Sequence, residues 1–416
     1  MAHKQLRVAI IGGGLAGAAL ANALVRISHV DVHVFESAPE FSERGAAVGL
    51  AKNAQSALAQ ILPSATDLLE KAGAVRMNSS RIILGSGPEA GKIVFDLAAD
   101  DINMVVHRAS LLRELIAHLP EESLHPNKQL AAINPSESGV EITFQDGSVY
   151  HFDAVIGADG IFSTVREHVL HGIGADEEHS PSPAGFWDCR NVVLFDEAKA
   201  ILGEKYFDVD RQYDWVGDGA FIMHDVLEDR TMVQCVISGV EKDASKNRDR
   251  KRQLTQESLK SSLSSWLDGP IADGMINLIC DQPDPCGYSQ WEHKSTPTYV
   301  RERVCVMGDA AHATTPWQGS GAGLAIEDAM VLGTLFANIA SPSEISAAFK
   351  AYDLIRRPRC QQVIDSSRET GRILCGQVDL RAEELMKLLA PRWNFIFGLD
   401  MESHKREALE ALKTAR

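Results

Sequence analysis

LRVAIIGGGLAGAALANALVRI, residues 6–27, decides the fold. Residues 7–11 read as a buried strand, Gly12-Gly13-Gly14 as a tight turn, and 15–25 as an uncharged helix. VDVHVFE at 30–36 suits a second buried parallel strand. The glycines keep the spacing Gly12-x-Gly14-x-x-Gly17. Gly12 permits the turn and Gly14 lets a pyrophosphate approach the backbone. Gly17 lets helix and strand pack closely, and the helix N-terminus faces the phosphates. Glu36 ends the second strand where a ribose-binding carboxylate belongs. These features together specify a Rossmann-like unit for a dinucleotide, NAD or FAD. The run 8–25 also has the length of a signal peptide or membrane span. Its glycines and Asn22 interrupt it, and no other stretch approaches spanning length, so the sequence predicts a soluble, cytoplasmic protein with no membrane span.

A second glycine-rich passage, GDAAHATTPWQGSGAGLAIEDA, lies at 308–329. Gly308-Asp309 closes a strand predicted over 299–307. Gly319 to Gly323 opens the next helix, a second place where backbone N–H groups and a helix dipole meet an anion. A simple nicotinamide dehydrogenase needs one such loop. Two of them, roughly 300 residues apart in the chain, fit one extended FAD. Between them, GADGIFSTVR at 157–166 ends another short buried strand.

The middle of the chain has a different texture. Segments 81–84 and 92–97 read as a hairpin around GSGPEAG, 107–119 as an amphipathic helix, and 129–157 as three strands. From 180 to 240 alternating segments without a helical period suggest an inserted antiparallel sheet. The rest is helical, with 348–357 stopped by Pro358 and a last amphipathic helix from 402.

Composition narrows the function classes. At roughly 100–200 residues per domain, 416 residues make two or three structural units. Lys and Arg total 41 against 57 Asp and Glu, a net charge of −16, which repels nucleic acid and anionic lipid. The basic run 246–252 then reads as a solvated loop. Seven cysteines, an odd number without a CxxC pair, read as reduced thiols. His168, His171 and His179 find no Cys or carboxylate at ligand spacing, so no metal is expected. Neither GxSxG nor GxxxxGK[ST] occurs.

Taken together, GGGLAG with Glu36, GADGIFSTVR, and GDAAHATTPWQGSGAGLAIEDA resemble the single-component FAD-dependent aromatic hydroxylases, above all salicylate hydroxylases and similar fungal monooxygenases. The resemblance covers nearly the whole chain. It implies an α/β fold of the p-hydroxybenzoate hydroxylase type: a Rossmann-like FAD domain, an inserted, mostly antiparallel substrate sheet, and a helical C-terminal part. The FAD domain would comprise 1–75, 101–178 and 286–345. The substrate region would comprise 76–100 and 179–285, and the C-terminal helices 346–416.

By the same resemblance Glu36 would hold the adenosine ribose, Arg108 would lie near the diphosphate, and Gly49 would pass the flavin. Asp309 would bind the ribityl or diphosphate part, and Gly321 and Ala322 would lie against the flavin ring. Asp159 and Arg166 belong to the segment linked to FAD and nicotinamide binding. NADH or NADPH would reduce FAD, O2 would add at the flavin C4a, and the hydroperoxide would oxygenate an electron-rich ring carbon. Arg190 matches an arginine that holds the substrate phenolate. His224 falls near where a tyrosine often stands. These two are the catalytic candidates. Trp187, Trp215 and Trp317 are candidates for the pocket wall. The expected substrate is a small phenol of the salicylate type, with or without decarboxylation, and the protein a monomer or homodimer. The alternatives are a biosynthetic monooxygenase acting on a polyketide or terpenoid and, more remotely, a noncatalytic flavin-binding regulator.

Overall fold

A computed structural model describes residues 5–42, 47–174, 179–241 and 250–416, without the side chains of 98–102. Leu6–Ile11 is the hub of a six-stranded sheet. It pairs in parallel with Val30–Phe35 on one side and Ala154–Gly157 on the other. Leu124–His125 extends the first edge, and Val304–Val306, then Val300–Arg301, extend the second. Val8, Ala9 and Ile10 are all fully buried, as a strand covered on both faces requires. The single strand expected over 299–307 is a tight hairpin instead. Val300 pairs antiparallel with Cys305, and Glu302 takes a left-handed φ of 54° at the turn.

The stretch 129–157 makes four strands rather than three. Leu130–Ser136, Gly139–Phe144 and Val149–Phe152 form a separate antiparallel sheet, and only Ala154–Gly157 enters the parallel one. A nine-stranded, mainly antiparallel sheet runs in the order Lys251–Gln253, Cys286–Glu292, Ser182–Leu194, Met232–Val240, Ala220–Leu227, Gln212–Gly217, Val75–Leu84, Ile93–His107, Ala47–Leu50. Residues 246–249 of the basic run lie outside the described residues. Its end is the edge strand Lys251–Gln253 rather than a loop.

Alternation gives this sheet two unlike faces. Trp187, Cys189, Trp215, Ile222, Cys235 and Ile237 pack under the helix Ala272–Cys280 into one apolar core. The opposite face, carrying Asp188, Arg190, Asp214, Asp225 and Gln234, turns toward the parallel domain.

Pro358 does not stop its helix. Ile345–Leu374 runs through it for 30 residues. An interior proline removes one backbone hydrogen bond and costs about 3 kcal/mol. Buried ion pairs on both sides hold the helix in line. Arg356 binds Glu327 at 2.7 Å and Asp328 at 2.8 Å, and Arg359 binds Glu327 at 3.3 Å. Both acids come from the long helix Gly321–Ala337.

Candidate active site

Gly12 has a φ of 108°, and a Cβ there would stand 2.3 Å from the Ala158 carbonyl oxygen. A Cβ on Gly17 would lie 2.0 Å from the Gly12 oxygen, so the helix sits directly on the turn. Glu36 accepts backbone N–H bonds from Gly13 at 2.8 Å and Ala38 at 2.7 Å. Its carboxylate thereby ties the end of the second strand to the turn.

The GADG segment is braced in the same way. Asp159 accepts the Ser163 hydroxyl and the Val165 N–H, and burial raises its pKa. Arg166 is buried and donates to the Ala310 and Ala311 carbonyls and, at 2.8 Å, to Thr296 Oγ1. It clamps this segment to the Gly308–Asp309 loop. Asp328 finishes the bracing by accepting from Gly308 N–H at 2.9 Å and pairing with His312 at 2.6 Å.

One cavity of about 840 Å³ runs between these loops and the polar face of the large sheet. Gly12, Gly14, Glu36, Gly49, Arg108, Asp159, Asp309, Gly321 and Ala322 all line it, as does Arg190. Gly17 lies behind the turn, where its role is packing. The structure does not bring His224 to the cavity. Its neighbours Met223 and Asp225 face that space, so the residue between them points to the other side of the strand. There the ring stacks on Tyr213 at 5.0 Å and is only 1% exposed. Burial lowers its pKa to about 3, and neither ring nitrogen has a hydrogen-bond partner among the described residues. Trp187 and Trp215 likewise belong to the far core, and only Trp317 of the three lines the cavity.

Apart from Arg190, the sheet side of the cavity carries polar residues that the sequence reading did not single out. Arg190 Nη2 donates to Asp188 at 2.9 Å, and its side chain remains 39% exposed. Asp214 and Asp225 stand on neighbouring strands, each accepting one glutamine amide. Phe221, Met223 and Val236 supply apolar wall between these polar groups, and Trp317 packs edge-on to Phe186 and Phe221.

This donor set fits FAD. Two helix N-termini and their glycine loops supply N–H groups for a diphosphate and a flavin. Glu36 and Asp309, at separate loops, present carboxylates that could accept from sugar and ribityl hydroxyls, and Arg108 is a cation on the same cavity.

The fold and site define a flavin-dependent oxidoreductase, and comparison with known proteins narrows it. Residues 5–367 match the FAD binding domain family. The chain is 33% identical to a 6-methylsalicylate 1-monooxygenase of Aspergillus terreus, over 98% of this chain and 92% of that one. It is 31% identical to a salicylate hydroxylase of Pseudomonas putida, over 97% and 94%. A solved salicylate hydroxylase substrate complex superposes with a TM-score of 0.84 at 26% identity, covering 97% and 98%. The chain therefore belongs to the FAD-dependent monooxygenases of the salicylate hydroxylase type, with the p-hydroxybenzoate hydroxylase-type fold. Among the described residues no helix is long and apolar enough to cross a membrane.

Proposed function

We propose that the enzyme uses NADH or NADPH and O2 to hydroxylate a small phenolic substrate, salicylate or a close relative of it first among the candidates. The observation that carries this reading is the joining, in one cavity, of the two glycine loops and a sheet face bearing a cavity-exposed arginine. Bound FAD would supply the chemistry of hydride acceptance and oxygen activation. Glu36, Asp309 and the loop N–H groups would hold it, and Arg108 would neutralise its diphosphate.

Arg190 would bind the substrate's anionic oxygen. Asp188 fixes the guanidinium from one side and leaves its other N–H groups for the ligand. Phe221, Met223, Val236 and Trp317 would flank the ring and keep water from the reacting carbon. The free thiols of the seven cysteines favour a reducing compartment, in keeping with a cytoplasmic location.

The acid-rich wall favours a second reading, in which the substrate is a larger phenol with several hydroxyls and the enzyme is biosynthetic. Incubating FAD-loaded protein with NADH, O2 and salicylate, then weighing the product, decides between them. One oxygen gained with loss of CO2 establishes the decarboxylating salicylate reaction. NADH consumption that yields only peroxide excludes salicylate as substrate and moves the search to larger phenols.

A further inference from the structure

We propose that Asp225, with Asp214 beside it, is the general base that takes the phenolic proton from the substrate. The inference rests on the phenol-hydroxylase reading above. A phenol becomes nucleophilic at carbon when it loses its O–H proton, so the site needs an acceptor that faces the cavity and has an oxygen to spare. His224 faces away. Asp188 already serves Arg190 and, at 3.3 Å, the Gln290 amide. Asp159 is engaged by Ser163 and Val165, while Glu36 and Asp309 belong to the glycine loops.

Asp214 and Asp225 remain. They are 6% and 3% exposed, on adjacent antiparallel strands and on the same cavity-facing side. Asp214 pairs across from Met223, which makes Asp225 its diagonal neighbour. Gln212 Nε2 donates to Asp214 at 2.8 Å and Gln234 Nε2 to Asp225 at 3.3 Å. Gln234 is itself anchored, its Oε1 accepting from Ala47 N–H at 3.0 Å, two residues before Gly49.

No cation is paired with either carboxyl among the described residues. Ser80 stands across from Gln212, and the other charged or polar groups on the cavity's sheet side are the Arg190–Asp188 pair, Gln290, Ser238, Asn103 and Arg108. Burial raises the pKa of Asp214 to about 7, against the pull of the Gln212 amide. Burial, and then the charge of Asp214, raise Asp225 to about 8. The pair titrates as a unit near neutrality. Its basic form is a far better match to a phenol of pKa about 10 than an ordinary carboxylate of about 4.

A ligand with polar groups is also called for by a buried atom of a residue on the same cavity. Gln290 Oε1 has no hydrogen-bond partner among the described residues. In the step itself the substrate O–H bond breaks and its electron pair stays on oxygen. The proton bonds to a carboxylate oxygen of Asp225. The negative charge passes from Asp225 to the phenolate, where Arg190 meets it, and the site's net charge is unchanged.

The test uses the FAD-loaded enzyme, a phenol it turns over, and a ring-fluorinated analogue already ionised at neutral pH. Asp225→Asn should lower kcat/KM for the parent phenol by about 100-fold, the usual scale for a lost general base. For the pre-ionised analogue the loss should stay within about threefold, because no proton remains to be taken. Equal losses on both phenols, or no loss on either, overturn the proposal. Should Asp225→Asn fail to hold FAD, the unaltered enzyme and Asp214→Asn carry the test. In the unaltered enzyme kcat/KM for the parent phenol should rise with pH through 7 to 8 and be flat for the analogue. In Asp214→Asn that rise should begin at lower pH, the neighbouring charge being gone. A limb that is the same for both phenols, or absent for both, overturns the proposal. A panel in which no phenol stimulates NADH or NADPH oxidation ends the phenol reading first, and this proposal with it.

Discussion

Two pairs of buried carboxyl groups sit in this protein under opposite conditions. Glu327 and Asp328, adjacent on one helix, are wrapped by cations: Arg356 on both, Arg359 on Glu327 and His312 on Asp328. Asp214 and Asp225, on neighbouring strands, have only glutamine amides as side-chain partners among the described residues. Burial pushes all four toward the neutral form. In the first pair His312 and Arg356 outweigh burial and hold Asp328 down to about 2. In the second nothing outweighs it, and the pair rises to about 7 and 8. Burial alone therefore does not fix a carboxyl's role. The paired acids are ionised, Asp328 bracing the Gly308–Asp309 loop and Glu327 tying its helix to Arg356 and Arg359, while the unpaired ones are left able to exchange protons on the cavity wall.

Removing the cation from the first pair should have the largest effect. Arg356→Met leaves two buried carboxylates short of their main partner and should destabilise the fold by roughly 3–5 kcal/mol. Urea unfolding measures it. A loss below about 1 kcal/mol would mean that Arg359 and His312 suffice, and the contrast between the pairs would collapse.

The pairs should also respond oppositely to pH. The folded protein binds more protons than the unfolded chain wherever a carboxyl's folded pKa is raised, and stability then falls as pH rises. For Asp214 and Asp225 that window runs from about 4 to about 8. For Asp328, whose pKa is lowered, stability is present above about 4 and is lost as pH falls toward 2. Between pH 5 and pH 8 the unaltered protein should therefore lose stability that the Asp214→Asn/Asp225→Asn double variant keeps. A difference of roughly 2–4 kcal/mol is expected at about 1.4 kcal/mol per pH unit, discounted for relaxation. Parallel pH profiles for the two proteins would contradict the raised pair.

Pro358 separates local preference from tertiary context. From the sequence alone it ends a helix at Arg357. In the fold the ion pairs of Arg356 and Arg359 to one partner helix override that preference. Pro358→Ala restores the missing N–H and should stabilise the protein by about 1 kcal/mol, less than the full proline cost because the unfolded chain gains freedom. A destabilised variant would show that the helix is built around the proline ring.

The same division explains what was legible beforehand. Gly12, Gly14 and Glu36 could be read because each answers a local demand of the strand–turn–helix backbone, and local demands leave a mark in sequence, whereas Asp159 and Asp309 were singled out through the family resemblance. All five face the cavity. The turn at Glu302 was not legible, since nothing in RER announces a left-handed residue. Nor was the polar wall. QYDWV and AFIMHDV do alternate, which predicts two faces, but only the packed sheet shows which face meets the core. A one-residue difference moves a side chain from one environment to the other, and His224 and Asp225 stand on either side of it.

That adjacency gives the smallest expected effect and the sharpest comparison. His224 and Asp225 are both almost fully buried, both titratable and one residue apart, yet burial leaves each neutral by opposite proton counts. His224 loses its proton and lies among Tyr206, Phe207 and Tyr213. Phenylalanine fills nearly the same space without two unpartnered nitrogens, so His224→Phe should change stability by no more than about 1 kcal/mol, in the favourable direction. Its kcat/KM should stay within about threefold of the unaltered enzyme and keep the same pH profile, against the roughly 100-fold loss expected of Asp225→Asn. If His224→Phe instead erased the acid limb of that profile, proton transfer would have to pass through the strand to its far face, and the sheet's two sides would be coupled in a way its packing does not provide.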